Sequence, residues 1–402
     1  MSSSSTDTAQ LPENGITIFE DDGADQLKKK VAENLELFLE ADQQSSVQVI
    51  FTKPGTLERC ASLELPDDFR RTLTADLNAS FHTEYCFIGN DITGHLSWTL
   101  FKIKMVENPT KYDWIQASVF VHWDILANQQ RVFFVDVPHD KQKQIQESFP
   151  SWDMRDRNPW IWHAVFGHAM KYLYDESIWR LRHVVRGVEK ERLTSSDNDL
   201  PAYFKDLHDS GRHVVHLIET MEVAEHTMNS LVAEHARYRT EFSDEVINKK
   251  NLVDKNLHLR TAQKIAFIAK EVHSLKTRAK TLSDRLTSEI QLANNLVSHE
   301  MSRNTRYDSL VTKTLSFVGM IYLPGTFVSG IFGTNFFDFQ SGETESWEMS
   351  REFWLYWAVT IPLTLATFAV WALWHYWAEL RLNKSGKEKK KEQEGKDASK
   401  MA

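Results

Sequence analysis

Cysteine is scarce in this sequence, and several familiar enzyme motifs are missing from it. Only Cys60 and Cys86 occur among 402 residues, so no disulfide framework is expected and a reducing compartment is indicated. The polar stretch 1–14 has neither a basic region nor an apolar core, which predicts a disordered segment and no cleavable signal peptide. No P-loop, glycine-rich dinucleotide turn or nucleophile elbow occurs. We therefore expect neither an enzyme nor a bound cofactor.

Positive charge is also in short supply. The chain has 47 Lys and Arg against 56 Asp and Glu, a net charge of −9, so nucleic acid is not an expected partner. The exception is the lysine-rich segment 379–402, whose basic side chains suit anionic lipid headgroups.

Strand-like and helical patterns are mixed over residues 15–155, which predicts a cytosolic α/β domain. Asp25–Glu40 has a helical period. Runs rich in β-branched and aromatic residues predict strands, and a short polar connection between the last two predicts a hairpin. The predicted strands are Val47–Thr52, Ser97–Val106, Ile115–Trp123 and Val132–Val137, with the hairpin connection at Leu126–Gln130.

Proline and glycine are absent between Gly211 and Gly319, within a helical region predicted over residues 156–313. Two heptad seams predict long helices packed antiparallel as a coiled-coil stalk, separated by a turn near Phe242–Asn256. The later stalk helix is predicted over about 257–313 and runs on without an evident stop. The seam residues are Val214, Leu217, Met221, Ala224, Met228, Leu231 and Tyr238, then Ile265, Ile268, Val272, Leu275, Ala279, Leu282 and Leu286.

Charged residues are missing from two long runs near the C-terminus, 314–337 and 353–378. Each run can cross a bilayer core of roughly 30 Å as a helix. Between them lies an acidic loop, 338–352. Lys and Arg are concentrated before the first span and after the second. The positive-inside rule therefore predicts two spans with both termini cytoplasmic. We expect an integral membrane protein of the plasma membrane, with the acidic loop outside.

The end of the first span, Leu323–Phe336, contains Gly333, Thr334 and Asn335. This stretch resembles the end of the first membrane helix in the CorA-type divalent cation channels, especially the CorA-like proteins of fungi, over roughly residues 305–378. That family has a Gly-Met-Asn motif here, two C-terminal spans, a long stalk helix and a preceding α/β domain. The resemblance implies a CorA-like homopentamer that moves Mg²⁺ into the cytosol. This sequence departs from the family's motif at one position, where Thr334 replaces the Met.

The chemistry of the motif suits a hydrated ion. Mg²⁺ loses water reluctantly and prefers octahedral oxygen coordination. The Asn335 carbonyl oxygen can accept hydrogen bonds from ion-bound water, and Gly333 permits close approach of the backbone. One Asn per chain does not surround an ion, so this prediction requires self-association.

Helical spacing also predicts a pore-facing stripe, with two leucines as constrictions and a threonine as a second oxygen ring. Its members are Thr312, Leu315, Gly319, Leu323, Thr326 and Gly330. An alternative interpretation is that the small residues only permit helix packing. The outer loop adds five carboxylates that would concentrate cations near the pore mouth. They are Asp338, Glu343, Glu345, Glu348 and Glu352.

Histidine pairs form the remaining candidate metal sites. His163 and His168 are one pair, and His213 and His216 precede Glu219 at helical spacing. No complete zinc pattern surrounds either pair, which favours surface or packing roles.

Three functional hypotheses remain open from the sequence. The first is a channel or transporter for a divalent cation, with Mg²⁺ ahead of Zn²⁺ and Co²⁺. The second is a membrane-anchored scaffold that keeps the CorA-like fold without conducting, which the Thr334 replacement leaves open. A membrane-bound enzyme is third, because no catalytic set is visible.

Overall fold

The computed structural model describes residues 16–21, 26–41, 45–60, 63, 65–191, 200–242, 255–332, 337–339, 347–349, 353–374 and 376–377. Its contacts divide the chain into a first unit, Met1–Ala293, and a second unit, Asn294–Ala402.

A seven-stranded sheet forms the centre of the first unit, with the spatial order β2-β1-β3-β7-β6-β5-β4. All neighbouring strands are antiparallel except β3 and β7, which run parallel. The strands are β1 (Ile16–Glu20), β2 (Lys28–Ala32), β3 (Val47–Thr52), β4 (Ala79–Ile88), β5 (Asp91–Asn108), β6 (Lys111–Asp124) and β7 (Gln129–Val135).

Helices cover both faces of this sheet, and central strands such as β3 are buried on both faces as a result. One face packs against three long helices in a core that includes Phe134, while the other packs against short helices around Phe69. Successive residues such as Ile50 and Phe51 therefore belong to opposite cores. The helices are α1 (Leu35–Ala41), α2 (Pro54–Glu58), α3 (Asp67–Thr74), α4 (His139–Glu147), α5 (Trp152–Arg155), α6 (Trp160–Glu191), α7 (Leu200–Phe242) and α8 (Lys255–Phe332).

The antiparallel stalk prediction is confirmed for the part of α8 that lies in the first unit. Glu225 of α7 accepts a hydrogen bond from Lys276 of α8 at 2.8 Å. Farther along α7, the His235 ring stacks on His258, near the start of α8, at 4.0 Å between centroids. As the residue number rises along α7, the number of the contacting residue on α8 falls, so the two helices run antiparallel. The seam residues of both helices are buried in one core, which α6 also joins.

The predicted helix Asp25–Glu40 is wrong over its first part. Lys28–Ala32 is strand β2, and Lys30 pairs with Ile18 of β1. Pairing at the sheet edge outweighs the helical preference of these lysines, whose charge suits an edge strand. The helix α1 begins only after Asn34, whose side-chain oxygen accepts the backbone N–H of Glu36 at 2.9 Å.

The other strand predictions are confirmed with changed limits. Val47–Thr52 is β3, and Ser97–Val106 and Ile115–Trp123 lie inside β5 and β6. The predicted strand Val132–Val137 extends too far, because β7 ends at Val135.

Two features explain these limits of β7. The strand ends at Val135 because Asp136 takes a left-handed backbone conformation with φ of 55°. The hairpin connection before it contains Asn128, which also has a positive φ, of 54°. Strands β1 and β4 were not predicted from the sequence.

Four buried histidines meet where the sheet contacts the long helices: His95 on β5, His163 on α6, His235 on α7 and His258 on α8. His163 is satisfied locally, because its Nε2 and Nδ1 lie 2.8 Å from the hydroxyls of Ser97 and Thr99. This confirms the packing interpretation of His163.

His95 differs from His163. Its ring packs 5.4 Å from the Trp160 ring and 5.7 Å from the Tyr238 ring. Neither of its nitrogens has a hydrogen-bond partner among the described residues. Burial lowers the pKa of His95 to about 3. It also lowers the pKa values of His163 and His235 to about 3. These rings are therefore neutral in the folded protein, and the unfolded chain takes up protons first as the pH falls.

We predict that His95→Phe stabilises the first unit, and does so more at pH 5 than at pH 7. The phenyl ring fits the aromatic site and removes two unsatisfied nitrogens, a gain of about 1 kcal/mol. The folded pKa lies below that of an ordinary histidine, so stability falls as the pH drops below about 6.5. The gain in unfolding free energy from His95→Phe should therefore be about 2 kcal/mol larger at pH 5 than at pH 7.

Chemical denaturation of the purified chain at both pH values, followed by tryptophan fluorescence, measures this difference. His208→Phe changes an exposed histidine on α7 and is the matched control. Equal pH dependence in the His95→Phe variant and the unaltered protein would show that His95 is not a source of acid sensitivity.

Candidate functional site

Two helices of the second unit are long and apolar enough to cross a membrane. The first is the C-terminal part of α8, and the second is α9 (Phe353–Trp374). At 1.5 Å per residue, the 22 residues of α9 span about 33 Å. The structure therefore supplies a helix for each of the two predicted spans, and α8 continues from the stalk without interruption.

The two spans contact each other through one face of α8. The Tyr356 hydroxyl of α9 donates to the Gly325 carbonyl oxygen at 3.3 Å. Phe317 packs against Phe368 with 5.5 Å between ring centroids, and Val328 is buried. A Cβ on residue 325 would lie 3.5 Å from the Tyr356 hydroxyl oxygen. Glycine thus lets the α9 tyrosine reach the α8 backbone.

The predicted stripe lies on the opposite side of α8. At 100° per residue its six positions fall within an arc of about 80°, centred roughly 180° from the face that contacts α9. Leu315 and Leu323 are 71% and 70% exposed in the single chain. Thr312, Thr326 and Gly330 are also exposed, and Gly319 is half-buried. The second span therefore leaves this stripe uncovered.

Thr326 has a hydrogen bond that fixes the role of its oxygen. Its Oγ1 lies 3.0 Å from the carbonyl oxygens of Tyr322 and Leu323, to which the hydroxyl donates its hydrogen. Pro324 lies inside the same turn and supplies no backbone N–H. With its hydrogen held by the helix, the Thr326 oxygen presents lone pairs outward and acts as an acceptor. Such an oxygen suits the water molecules of a hydrated cation.

The predicted motif at Gly333, Thr334 and Asn335 lies outside the described residues, as do Glu343, Glu345 and Glu352 of the outer loop. The described neighbours are the end of α8 at Phe332 and a two-stranded sheet, β8 (Phe337–Phe339) with β9 (Trp347–Met349). In that sheet Asp338 is paired in register with Glu348. The predicted span 314–337 is therefore helical up to Phe332, and Phe337 begins a strand.

The remaining histidine candidates are not brought together as a metal site. The Nε2 of His213 lies 2.9 Å from the carbonyl oxygen of Pro109. His216 lies 3.6 Å from a carboxylate oxygen of Glu219. Among the described residues, no group of three or more His, Cys, Asp or Glu is placed to hold a metal ion.

Comparison with known proteins places this architecture in a family. Residues 204–377 match the family model for the CorA-like Mg²⁺ transporter protein. The chain is 36% identical over 360 residues to the notoamide biosynthesis cluster protein M′ of Aspergillus versicolor, covering 81% of this chain and 78% of that relative. The chain belongs to the CorA-like Mg²⁺ transporter family.

The complete CorA magnesium transporter from Methanocaldococcus jannaschii aligns with a TM-score of 0.48 and 11% identity, covering 88% of this chain and 96% of that one. The full-length CmaX protein aligns with a TM-score of 0.41 and 13% identity, covering 90% and 98%.

We predict that Gly325→Leu destabilises the membrane unit, whereas Gly325→Ala is tolerated. An added Cβ meets the Tyr356 hydroxyl at ordinary contact distance, but a leucine side chain displaces that ring from the helix. Overpacking of this kind costs about 1–3 kcal/mol. Thermal unfolding of the detergent-solubilised protein measures the change. Equal midpoints for the alanine and leucine variants would contradict the described contact.

Proposed function

We propose that this chain forms a homo-oligomeric channel, with five subunits, that passes Mg²⁺ or another divalent cation into the cytosol. The observation that carries the proposal is the uncovered stripe on α8, opposite the face that contacts α9. A face that the second span leaves open is available to line a shared central path. The family membership of the chain supports divalent cation transport as the class of activity.

The proposed ion remains hydrated in the narrowest part of the path. A ring of Asn335 oxygens, one from each subunit, accepts hydrogen bonds from the ion's water shell. Thr326, nine residues earlier in the sequence, supplies a second ring, with its hydrogen already donated inside the helix. Neutral oxygens bind the hydrated ion weakly enough to release it, whereas a ring of carboxylates at that point would hold it longer. Leu315 and Leu323 form the apolar constrictions.

The membrane potential drives the proposed flux. A divalent ion gains about 4.6 kcal/mol per 100 mV when it moves to the negative side. The outer loop, with Asp338 and Glu348, raises the local cation concentration at the entrance. Basic residues flank the spans on the side of both termini, so we place the termini in the cytoplasm of a plasma-membrane protein. The lysine-rich tail then lies against anionic lipid.

A non-conducting scaffold is the second candidate, and Thr334 is the observation that favours it. Threonine is shorter and more polar than the family's Met at this position. It changes the surroundings of Asn335 without removing the Asn335 oxygen. Zn²⁺ or Co²⁺ as the preferred ion is a variant of the first proposal, and competition between ions in the same flux assay distinguishes them.

We predict that Asn335→Ala abolishes selective divalent uptake and that Thr326→Val reduces it roughly tenfold, because each removes one oxygen per subunit from a hydrogen-bonded ring. Uptake of Mg²⁺ into proteoliposomes, with a fluorescent indicator inside, gives the measurement. The mass of the detergent-solubilised oligomer should not change in either variant.

Ser329→Ala is the matched control, since it also removes an exposed helical hydroxyl, one that lies off the stripe and donates to the Thr326 carbonyl at 3.0 Å. Unchanged Mg²⁺ uptake in Asn335→Ala would refute the assigned selectivity site. An intact pentamer with no uptake in the unaltered protein would favour the scaffold.

A further inference from the structure

The two parallel strands of the first unit create a crevice that the membrane function does not use. After β3 the chain enters α2, whose Leu57 packs in the core on one face of the sheet. After β7 it enters α4, whose Ile145 packs in the core on the opposite face. The chain thus leaves two adjacent parallel strands in opposite directions. Open α/β sheets bind small molecules at this kind of switch point, outside the carboxyl ends of the strands.

A cavity of about 540 Å³ lies at this point. Thr52 and Lys53, at the end of β3, form one part of its wall, and Asp136 and Val137, after β7, form another. Its volume lies within the usual range for small-molecule sites. Ile16, Leu35 and Phe51 add apolar surface to the lining, and polar groups stand around it.

Asp136 occupies a special backbone position in this cavity. Its φ of 55° is uncommon for a residue with a side chain. Its backbone N–H donates to the Thr52 carbonyl oxygen at 2.9 Å, which ties the ends of β3 and β7 together. Partial burial raises the pKa of the Asp136 carboxyl group, and the nearby Lys53 charge opposes that effect. Left-handed residues of this kind concentrate at functional sites.

The cavity lining contains charges of both signs. Lys53 lies between β3 and α2, and Arg59 lies at the end of α2. The Nε of Arg59 donates a hydrogen bond to the Gly55 carbonyl oxygen at 2.7 Å. Glu33 and Glu36 come from the β2–α1 connection and the start of α1. With Asp136, the lining presents three carboxylates against two cations.

Three of these lining charges form no salt bridge within the described part of the chain. No ion pair joins Lys53, Glu33 or Glu36 to another described residue at salt-bridge distance. By contrast, Glu20 and Lys30 pair with each other on the neighbouring strands. Charged groups that line a cavity without forming salt bridges gain most from a ligand of complementary charge.

The lining disfavours two common ligand classes. Inorganic phosphate and nucleotides carry several negative charges, which three carboxylates repel. A bare metal ion lacks a suitable set of ligands here, since no described group of three acidic, histidine or cysteine residues converges on one point. The complement of the lining is an organic molecule with one anionic group and two cationic groups.

We propose that this cavity binds a basic amino acid. The carboxylate of the ligand faces Lys53 and Arg59, its two cationic nitrogens face Glu33 with Glu36 and Asp136, and its aliphatic chain covers Leu35 and Phe51. The site is separate from the proposed ion path, because every lining residue belongs to the first unit.

Equilibrium dialysis of the purified full-length protein in detergent tests the proposal, with radiolabelled L-arginine, L-lysine and L-ornithine as probes. We expect saturable binding of at least one probe. Agmatine, which lacks the carboxylate of arginine, and L-glutamate, whose charges are reversed, should compete at least about tenfold less well, a difference of about 1.4 kcal/mol.

Two cavity variants and one control assign the binding to this cavity. Lys53→Glu should remove binding, since it reverses the charge that faces the carboxylate. Asp136→Asn should weaken it about tenfold, the effect of about 1.4 kcal/mol from one lost charge contact, while Asn still accepts the left-handed backbone. Lys143→Glu makes the same charge change on the exposed side of α4 and should leave binding unchanged. Circular dichroism verifies the fold of each variant.

The proposal is overturned if none of the three basic amino acids binds, if agmatine competes as well as arginine, or if folded Lys53→Glu binds as the unaltered protein does. None of these results depends on ion flux. The ligand site and the proposed channel function can therefore fail independently.

Discussion

Inside a bilayer, every backbone N–H and carbonyl group has to find its hydrogen bond within the protein. The two spans meet this requirement as helices, so their backbones offer few oxygens to an ion. What remains are side-chain hydroxyls and the residues beyond a helix end. Thr326 is such a hydroxyl, and its hydrogen is already donated to the helix. Asn335 lies three positions after Phe332, where the described part of α8 ends. The proposed oxygen rings therefore occupy the positions that the membrane leaves available.

The first unit follows a different constraint, because its sheet is covered on both faces. Strands buried in this way are apolar throughout, and each polar group inside needs its own solution. His163 is held by two hydroxyls, whereas His95 is left among aromatic rings. At the carboxyl ends of β3 and β7 the two layers separate, and the charged cavity lies there. The same layering thus explains both the predicted acid sensitivity of the core and the candidate ligand site.

The sequence predicted well where a pattern is local and long. The heptad seams, the two apolar spans and the central strands all depend on periodicity, and all are present in the structure. The helix predicted at Lys28–Lys30 is wrong, because pairing with β1 decides the conformation of these residues. Strand β4 was missed because its side chains are mostly half-buried and show no clear alternation. The cavity could not be predicted from the sequence, since its walls come from segments near residues 33, 53 and 136 that only the fold brings together.

In the proposed function, the oligomer conducts divalent cations inward under the membrane potential. The most direct measurement is Mg²⁺ uptake by the unaltered protein in proteoliposomes, with a potassium diffusion potential set either to zero or to inside-negative. We expect uptake above that of protein-free liposomes, and this uptake should rise when the interior is made negative, since each 100 mV adds about 4.6 kcal/mol of driving force. Uptake equal to that of protein-free liposomes at every potential, from vesicles containing intact oligomers, would contradict it.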